Sequence, residues 1–244
     1  MATTATETKS SSLGSAILGG VVGAVLTAAV LLYAVPQYLS SRIVRQGMLA
    51  DPNILTEAAD ALRDRQYAPT LAANRAAIET PFASSWRGAA KPEVTLVEFY
   101  DYACPYCKAS NPHVDQLLKE YPGLRVVYRE LPILGAPSVD AARLSLAASK
   151  AGRFSQFHDA LYAAGRPAAD TNAAAARVAN IPPVPTQDPA VENELKKNFQ
   201  LAGQLGATGT PLFVVGDRVM NGAVGYDALK QAIEDARRTA KQAS

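Results

Sequence analysis

The hydrophobic and polar positions divide the chain into three regions, and the first is a long apolar run. No charged residue occurs between Ser12 and Val35. At about 1.5 Å per residue, a helix of this length spans the roughly 30 Å hydrocarbon core of a bilayer. Pro36 then ends the predicted helix. The run therefore predicts a transmembrane anchor over 13–35, preceded by a cytoplasmic tail over 1–12. A cleaved signal peptide is the alternative interpretation.

The second region, 36–92, predicts a helical connector. Asp51-Pro52 can begin a helix, with Asp51 as its cap. Apolar side chains then recur at helical spacing, at Ile54, Leu55, Ala58, Ala59 and Leu62. A short amphipathic helix has to bury such a stripe against another surface. Two partners stay open: the chain's own catalytic domain, or the same helix of another subunit in a homo-oligomer. Residues 80–92 predict a linker.

The third region, 93–244, has the pattern of a small α/β domain. Four apolar runs predict strands, at 94–100, 124–131, 212–215 and 218–220. Gly216-Asp217 supplies a tight hairpin turn between the last two. Helical patterns follow the first strand, fill about 138–206, and close the region over 227–238. This order predicts an α/β sheet with an inserted helical domain.

Charge and cysteine content narrow the function classes. The chain has 24 Lys and Arg against 22 Asp and Glu, without the clustered basic face of a nucleic-acid binder, so no nucleic-acid partner is expected. Its two cysteines form Cys104-Pro105-Tyr106-Cys107, and no second pair exists for a zinc site or a disulfide framework. The two histidines, His113 and His158, lie far apart, so no metal site is expected. Few spare thiols suit an oxidising compartment.

Cys104 and Cys107 have the spacing of a redox-active pair. Disulfide exchange needs a thiolate that attacks one sulfur and a second thiol that resolves the mixed disulfide. Cys104 opens the helix predicted after the first strand, with Pro105 near the first helical position. The unpaired N–H groups and the positive end of the helix dipole favour its thiolate. Cys107 lies about one turn further and can close the disulfide ring. No cofactor beyond this redox-active disulfide is expected.

Two other features fit this chemistry. Glu98 lies in an apolar strand, six residues before Cys104. A buried, unpaired carboxyl has a raised pKa and can carry a proton to or from Cys107; a glutamate at the sheet edge, open to solvent, is the alternative. Pro211 comes just before a strand, where proline is tolerated. A cis bond there would leave the backbone of Thr210 free to pair with an extended peptide.

With these residues placed, the chain resembles the DsbA-like branch of the thioredoxin superfamily over roughly 93–240. The active-site segment reads Phe-Tyr-Asp-Tyr-Ala-Cys-Pro-Tyr-Cys-Lys over 99–108, and similar segments follow at 129–132, 138–143, 157–161 and 209–214. The resemblance implies a thioredoxin fold with an inserted helical domain. It implies Cys104 as nucleophile, Cys107 as resolving thiol, Glu98 as buried acid and Pro211 as cis-proline. Thr210, Pro211, Pro105 and Tyr106 are the candidate substrate-binding residues.

A second, shorter resemblance bears on the direction of the reaction. Residues 51–66 look like the amino-terminal oligomerisation segment of the ScsC-like, copper-sensitivity suppressor subgroup, which implies a trimer and isomerase activity. The dipeptide between the cysteines is Pro-Tyr, where strongly oxidising members carry Pro-His. Thr210 before the proline occurs in isomerases and reductases as well as oxidases. Oxidase, isomerase and reductase activity therefore all stay open.

The resulting expectation is a membrane-anchored, extracytoplasmic thiol–disulfide oxidoreductase. It would form, isomerise or reduce disulfides in unfolded or misoxidised secreted proteins, and a membrane redox partner would reset its cysteines. The catalytic domain would face the periplasm from a single-pass anchor in the inner membrane. Lys9 before the anchor, against Arg42 and Arg45 after it, favours the opposite orientation, and we give the chemistry more weight. The alternatives are a tethered Cu(I)-binding protein using the same two thiolates and an inert oligomeric membrane scaffold.

Overall fold

The computed structural model describes residues 27–28, 32, 35–181 and 188–243. The predicted tail over 1–12 and nearly all of the predicted anchor over 13–35 lie outside these residues. Across the part of the chain that is described, no helix is long and apolar enough to cross a membrane. The chain divides into two compact units, Met1–Asp60 and Ala61–Ser244.

Two helices make up the connector. Helix α1 spans Val35–Ala50, so Pro36 lies at the beginning of a helix, where its missing N–H costs no hydrogen bond. Helix α2 spans Asn53–Glu79, and the Asp51 side chain accepts a hydrogen bond from the Asn53 backbone at 3.1 Å, as its predicted capping role requires. The helix is longer than the sequence pattern predicts and contains Pro69 in its interior.

Several side chains of the apolar stripe at the start of α2 are exposed to solvent. Ile54 is 42% exposed and Leu55 is 56% exposed, both within the first unit. Leu62, in the second unit, is 69% exposed. Further along α2, in the second unit, Leu71 and Ile78 are buried. Within the second unit, the later part of α2 therefore contributes to the core of the domain.

The second unit contains a five-stranded sheet in the order β1-β3-β2-β4-β5. The strands are β1 Trp86–Gly88, β2 Val94–Tyr100, β3 Leu124–Glu130, β4 Leu212–Val215 and β5 Arg218–Asn221. Strands β2 and β3 are parallel, and all other neighbours are antiparallel. Strand β1 corrects the prediction of a linker over 80–92. It has only three residues, two half-buried and one exposed, which are too few to show an alternating pattern.

Helices fill the remaining positions of the domain. Helix α3 spans Pro105–Glu120 and connects β2 to β3, and α8 spans Gly225–Ala243 after the hairpin. The insertion between β3 and β4 contains α4 Ala136–Lys150, α5 Phe154–Ala164, α6 Ala169–Val178 and α7 Pro189–Gln204. The predicted α/β fold with a helical insertion over about 138–206 is thus confirmed, and residues 182–187 within the insertion lie outside the described residues.

The alternation of the strands gives the two sheet faces different contents. Leu96 and Tyr100 of β2 point to the face that α3, α5 and α8 cover. Val97 and Phe99 point to the opposite face, against buried residues of α2 and α7 such as Leu71 and Leu201. Because side chains alternate along a strand, Glu98 shares the first face with Leu96 and Tyr100.

A buried arginine joins the second sheet face to the surrounding helices. Arg129 of β3 is 1% exposed. It donates to Glu194 at 2.8 Å and Asn198 at 2.9 Å on α7, and to the carbonyls of Ile78 at 2.8 Å and Thr80 at 2.7 Å where α2 ends. Burial lowers the pKa of Arg129, and the Glu194 carboxylate opposes that shift. These acceptors therefore offset part of the cost of burying the guanidinium charge.

We expect Glu194→Gln to lower the free energy of unfolding by about 2 kcal/mol, because hydrogen bonds to charged groups contribute about 1.5–3 kcal/mol. Glu192→Gln on the same helix is the control: its partner Arg143, at 2.7 Å, is 41% exposed. Exposed ion pairs contribute little, so this change should stay within about 0.5 kcal/mol. Urea denaturation of both variants measures the difference. Equal losses of stability would contradict a special role for the buried pair.

Candidate active site

The two cysteines lie where β2 passes into α3. Cys104 is the N-cap residue of α3, with extended dihedral angles (φ −78°, ψ 118°), and Pro105 takes the first helical position as predicted. Both thiols are free. Cys104 is 4% exposed and Cys107 is fully buried. The helix start thus presents Cys104 to the unpaired N–H groups and keeps Cys107 behind it.

The fold brings Cys104 to the Thr210–Pro211 peptide, which lies 106 residues further along the chain. Cys104 Sγ donates to the Thr210 carbonyl oxygen at 3.2 Å. The Thr210–Pro211 bond is cis, and β4 begins directly after it at Leu212. A polypeptide bound to Cys104 would therefore pass beside the Thr210 backbone. This is the arrangement that pairing with an extended substrate requires.

Exposed apolar side chains surround this position. Tyr106, in the first turn of α3, is 64% exposed, and Pro105 next to it is also exposed. The loop after β3 adds Ile133 at 44% and Leu134 at 46% exposure. Pro105 and Tyr106 are among the predicted substrate-binding residues. The loop at 133–134 is not, because nothing in the local sequence pattern places it near the cysteines.

A buried aspartate holds the turn before Cys104 against that loop. Asp101 Oδ1 accepts from the Ala103 backbone at 2.7 Å. Its Oδ2 accepts from the Ile133 and Leu134 backbones at 2.8 and 2.9 Å. Its carbonyl accepts from the Cys104 backbone at 3.0 Å. One side chain thus fixes both the cysteine turn and the apolar loop. The sequence signal is an aspartate directly after a strand, a common turn residue.

Glu98 lies deep on the sheet face that α3 covers. Its Cα is paired with that of Tyr128 on β3 and of Phe213 on β4, so β2 is a central strand and the sheet-edge alternative is wrong. The residue is 1% exposed, and among the described residues neither carboxyl oxygen has a hydrogen-bond partner. Burial, with the nearby charge of Asp115, raises the pKa of Glu98 to about 8.

Cys107 and Glu98 affect each other's protonation. Burial raises the pKa of the Cys107 thiol, and the negative charge of Glu98 raises it further. The thiolate of Cys107 is therefore unfavourable while Glu98 is ionised. A proton that moves between the two groups relieves this conflict, since only one of them then carries charge. The pair can consequently act as a thiol with its own proton acceptor.

A second buried carboxyl, which the sequence analysis missed, lies beside a tyrosine cluster. The Tyr100 hydroxyl donates to Glu130, and Tyr102 lies 3.0 Å from Ser145 Oγ and 3.3 Å from His158 Nδ1. Burial raises the pKa of Glu130 to about 8. Burial also lowers the pKa of His158 well below its usual range, so its imidazole is neutral. His158 thus packs within the helical block as a neutral side chain, and the cluster as a whole carries little charge.

The chain is similar to known proteins over this same domain. Residues 95–234 match the family described as DSBA-like thioredoxin domain. A periplasmic thioredoxin-like protein from Salmonella enterica serovar Typhimurium is 34% identical, with a TM-score of 0.63, covering 67% of this chain and 95% of that one. A thioredoxin-like oxidoreductase from Silicibacter pomeroyi is 36% identical, with a TM-score of 0.62 and coverages of 68% and 98%.

Two other similarities cover different shares of the chain. Proteus mirabilis ScsC in a transitional conformation is 29% identical, with a TM-score of 0.65, covering 83% of this chain and 95% of that one. Among curated proteins, the Na⁺/H⁺ antiporter NhaA 3 of Salinispora tropica is 40% identical over 79 residues, which is 32% of this chain. The chain spans only 12% of the length of that antiporter.

Proposed function

Because the chain belongs to the DsbA-like thioredoxin family, we propose that it is a thiol–disulfide oxidoreductase working through Cys104-Pro105-Tyr106-Cys107. One observation carries this proposal: Cys104 Sγ lies 3.2 Å from the carbonyl of Thr210, directly before the cis-proline. A sulfur at a helix start, next to a free backbone edge, can exchange with the cysteine of an extended chain.

The exchange takes two steps at these atoms. In the oxidising direction, a substrate thiolate attacks Cys104 Sγ of the Cys104–Cys107 disulfide, and Cys107 leaves and takes a proton from Glu98. A second substrate thiolate then attacks the substrate sulfur and releases Cys104 as thiolate. In the reducing direction, the Cys104 thiolate attacks a substrate disulfide. Cys107 then gives its proton to Glu98 and displaces the substrate sulfur from Cys104.

The substrates we propose are unfolded or misoxidised secreted proteins. An extended chain would lie along Thr210 and Pro211, and its apolar side chains would contact the exposed surface of Pro105 and Tyr106. Unfolded chains present both features, namely free backbone groups and apolar side chains next to a cysteine. A membrane redox partner would reset the cysteine pair, because each oxidation or reduction of a substrate leaves the pair in the opposite oxidation state.

We place the catalytic domain on the extracytoplasmic side of the inner membrane, held by the apolar run over 13–35. The similar Salmonella protein is described as periplasmic, which supports this side for a domain of this chemistry. The exposed apolar side chains of Ile54, Leu55 and Leu62 support association of the connector with another copy of the chain. The likeness to Proteus mirabilis ScsC extends over 83% of this chain, and it supports isomerisation beside oxidation.

A redox titration of the full chain in glutathione buffers tests the proposal. We expect one two-electron transition between about −120 mV, typical of strong oxidants, and about −270 mV, typical of thioredoxin. A value near the first end means that the protein donates disulfides, and a value near the second means that it reduces or isomerises them. The Cys104→Ser/Cys107→Ser double variant is the control. A wild-type protein without any transition in this range would contradict the proposal.

Binding of Cu(I) by the two thiolates is the alternative function. Within the described ranges, no group of three or more His, Cys, Asp or Glu side chains could hold a metal ion. A Cu(I) site would have to rely on Cys104 and Cys107 alone, which soft thiolate ligands permit. Stoichiometric copper after purification under reducing conditions, together with no turnover on a dithiol substrate, would favour this alternative.

A further inference from the structure

A polar cleft of about 290 Å³ opens on the side of the domain where β1, α3 and α5 meet, away from Thr210. Its walls include Asn111 and Asp115 of α3, and Tyr162 and Ala163 of α5. Tyr128 of β3 forms part of its inner end. The candidate active site described above makes no use of this cleft.

One residue of the cleft lining, Tyr128, lies next to Glu98. Tyr128 and Glu98 are paired in the parallel register of β3 and β2, so their side chains lie next to each other on one sheet face. Tyr162 is buried with its ring 4.9 Å from that of His158, another cleft residue. Burial raises the pKa of Tyr162 well above its usual range, and the negative charges of Cys107 and Glu98 raise it further.

Three buried polar groups on this side lack a protein partner among the described residues. They are both oxygens of the Glu98 carboxyl, the hydroxyl of Tyr162 and Nε of Arg87. Buried polar groups are nearly always hydrogen-bonded, to protein or to water. Because Tyr162 and Arg87 line the cleft, water that enters it can satisfy their unpartnered groups.

We propose that this cleft is the route by which Glu98 exchanges its proton with solvent, with the Tyr162 hydroxyl as the relay between Glu98 and cleft water. The inference rests on the proposed function and adds a step to it. Cys107 gives its proton to Glu98, and the Cys107 thiolate attacks Cys104 Sγ while the substrate sulfur leaves. Glu98 then returns the proton through the cleft, because the bound substrate covers the Cys104 side.

The groups around Glu98 suit proton transfer to this side. The charged groups at the cleft are Arg87 of β1, Lys108 and Asp115 of α3, and Asp159 of α5. Arg87 donates to Asp115 at 3.2 Å and also to Asp159, so these charges largely compensate one another. The remaining titratable neighbours are neutral. Burial raises the pKa of Cys107, Tyr128 and Tyr162, which therefore keep their protons, and it lowers the pKa of His158, whose imidazole is therefore unprotonated on one nitrogen. Among these cleft charges, the carboxylates of Asp115 and Asp159 balance the two cations, Arg87 and Lys108.

A plug at the cleft mouth tests the route. Ala163 is exposed and lines the cleft, whereas Ala164 is exposed and does not. The reduced full chain is mixed with oxidised glutathione, quenched with acid and analysed by mass spectrometry, which separates formation of the Cys104 mixed disulfide from its resolution. We expect Ala163→Trp and Tyr162→Phe to slow resolution about tenfold, since positioned proton transfer contributes about 10²–10⁴-fold and a blocked route removes part of it.

Two comparisons distinguish a blocked proton route from a general loss of activity: the Ala164→Trp control, and the rate at which each variant forms the mixed disulfide. Ala164→Trp should resolve at the wild-type rate, and all variants should form the mixed disulfide at the wild-type rate. A larger solvent isotope effect on resolution in Tyr162→Phe would support a relay rather than a packing effect. Equal resolution rates in all variants would overturn the route while leaving the proposed function intact. A wild-type chain that forms no mixed disulfide would overturn the proposed function itself.

Discussion

We expect replacement of Cys104 by serine to abolish disulfide exchange, and replacement of Cys107 to leave the first step intact and trap the enzyme on its substrate. Cys104 lies at the N-cap of α3 and contacts the Thr210 carbonyl, where a substrate chain would lie. A serine hydroxyl at that position can neither attack a disulfide nor be attacked as a sulfur. Exchange should therefore fall to the uncatalysed rate in Cys104→Ser.

The Cys107→Ser variant tests the division of labour between the sulfurs. Cys107 is fully buried, so an incoming chain cannot reach it before Cys104. Without its thiol the mixed disulfide between Cys104 and the substrate has no internal attacker. Non-reducing electrophoresis and mass spectrometry should show this adduct accumulating for Cys107→Ser and absent for Cys104→Ser. An adduct on Cys107 in the Cys104→Ser protein would show that the roles are assigned the wrong way round.

The parts of this site that are local in sequence could be predicted from it. The apolar run of β2, the cysteine at a helix start and Pro105 after it all depend on neighbouring residues. Glu98 could be predicted as a buried acid because it stands within an apolar strand, and it is buried. These features follow from strand periodicity and helix capping, which act over a few residues.

Other parts depend on contacts between distant segments. The Asp101 carboxylate binds backbone groups more than thirty residues away. An aspartate in a turn has the same local sequence pattern whether or not it makes such contacts. Strand β1 exists because its three residues pair with β3. Pro69 ordinarily ends a helix, yet α2 continues through it to Glu79, where Arg129 binds the carbonyl of Ile78. In each case the structure depends on a contact with a distant segment, and the local sequence pattern does not predict that contact.

The two sheet faces also divide the work of the domain. The face under α3 and α5 holds Glu98, Cys107 and the neutral tyrosine cluster, where burial keeps protons on acids that would lose them in water. The opposite face holds Arg129, whose bonds join β3 to α2 and α7. The acid on the first face has no hydrogen-bond partner among the described residues, whereas the arginine on the second face donates to several acceptors.

Glu98→Gln should slow the resolution step by about 10²-fold, because it removes a positioned proton acceptor next to Cys107. In the wild type, Glu98 can accept the Cys107 proton only when ionised. Its pKa is about 8, so the resolution rate should rise with pH up to about 8 and then level off. The variant should lose this inflection. Glu93→Gln is the matched control, since Glu93 lies just before the same strand but is exposed and pairs with Arg237.

The same substitution should stabilise the fold at neutral pH, and this separates a functional role from a structural one. The carboxyl of Glu98 has a pKa of 4.5 as its ordinary value and about 8 when folded. Between these values the unfolded chain has lost the proton that the folded chain still holds, so stability falls as pH rises from about 4.5 to about 8. Glutamine removes that loss and should add about 3 kcal/mol near pH 7, and almost nothing near pH 4. Urea denaturation at both pH values measures the gain. A variant that is slower and also less stable at pH 7 would mean that Glu98 supports the structure rather than carrying the proton.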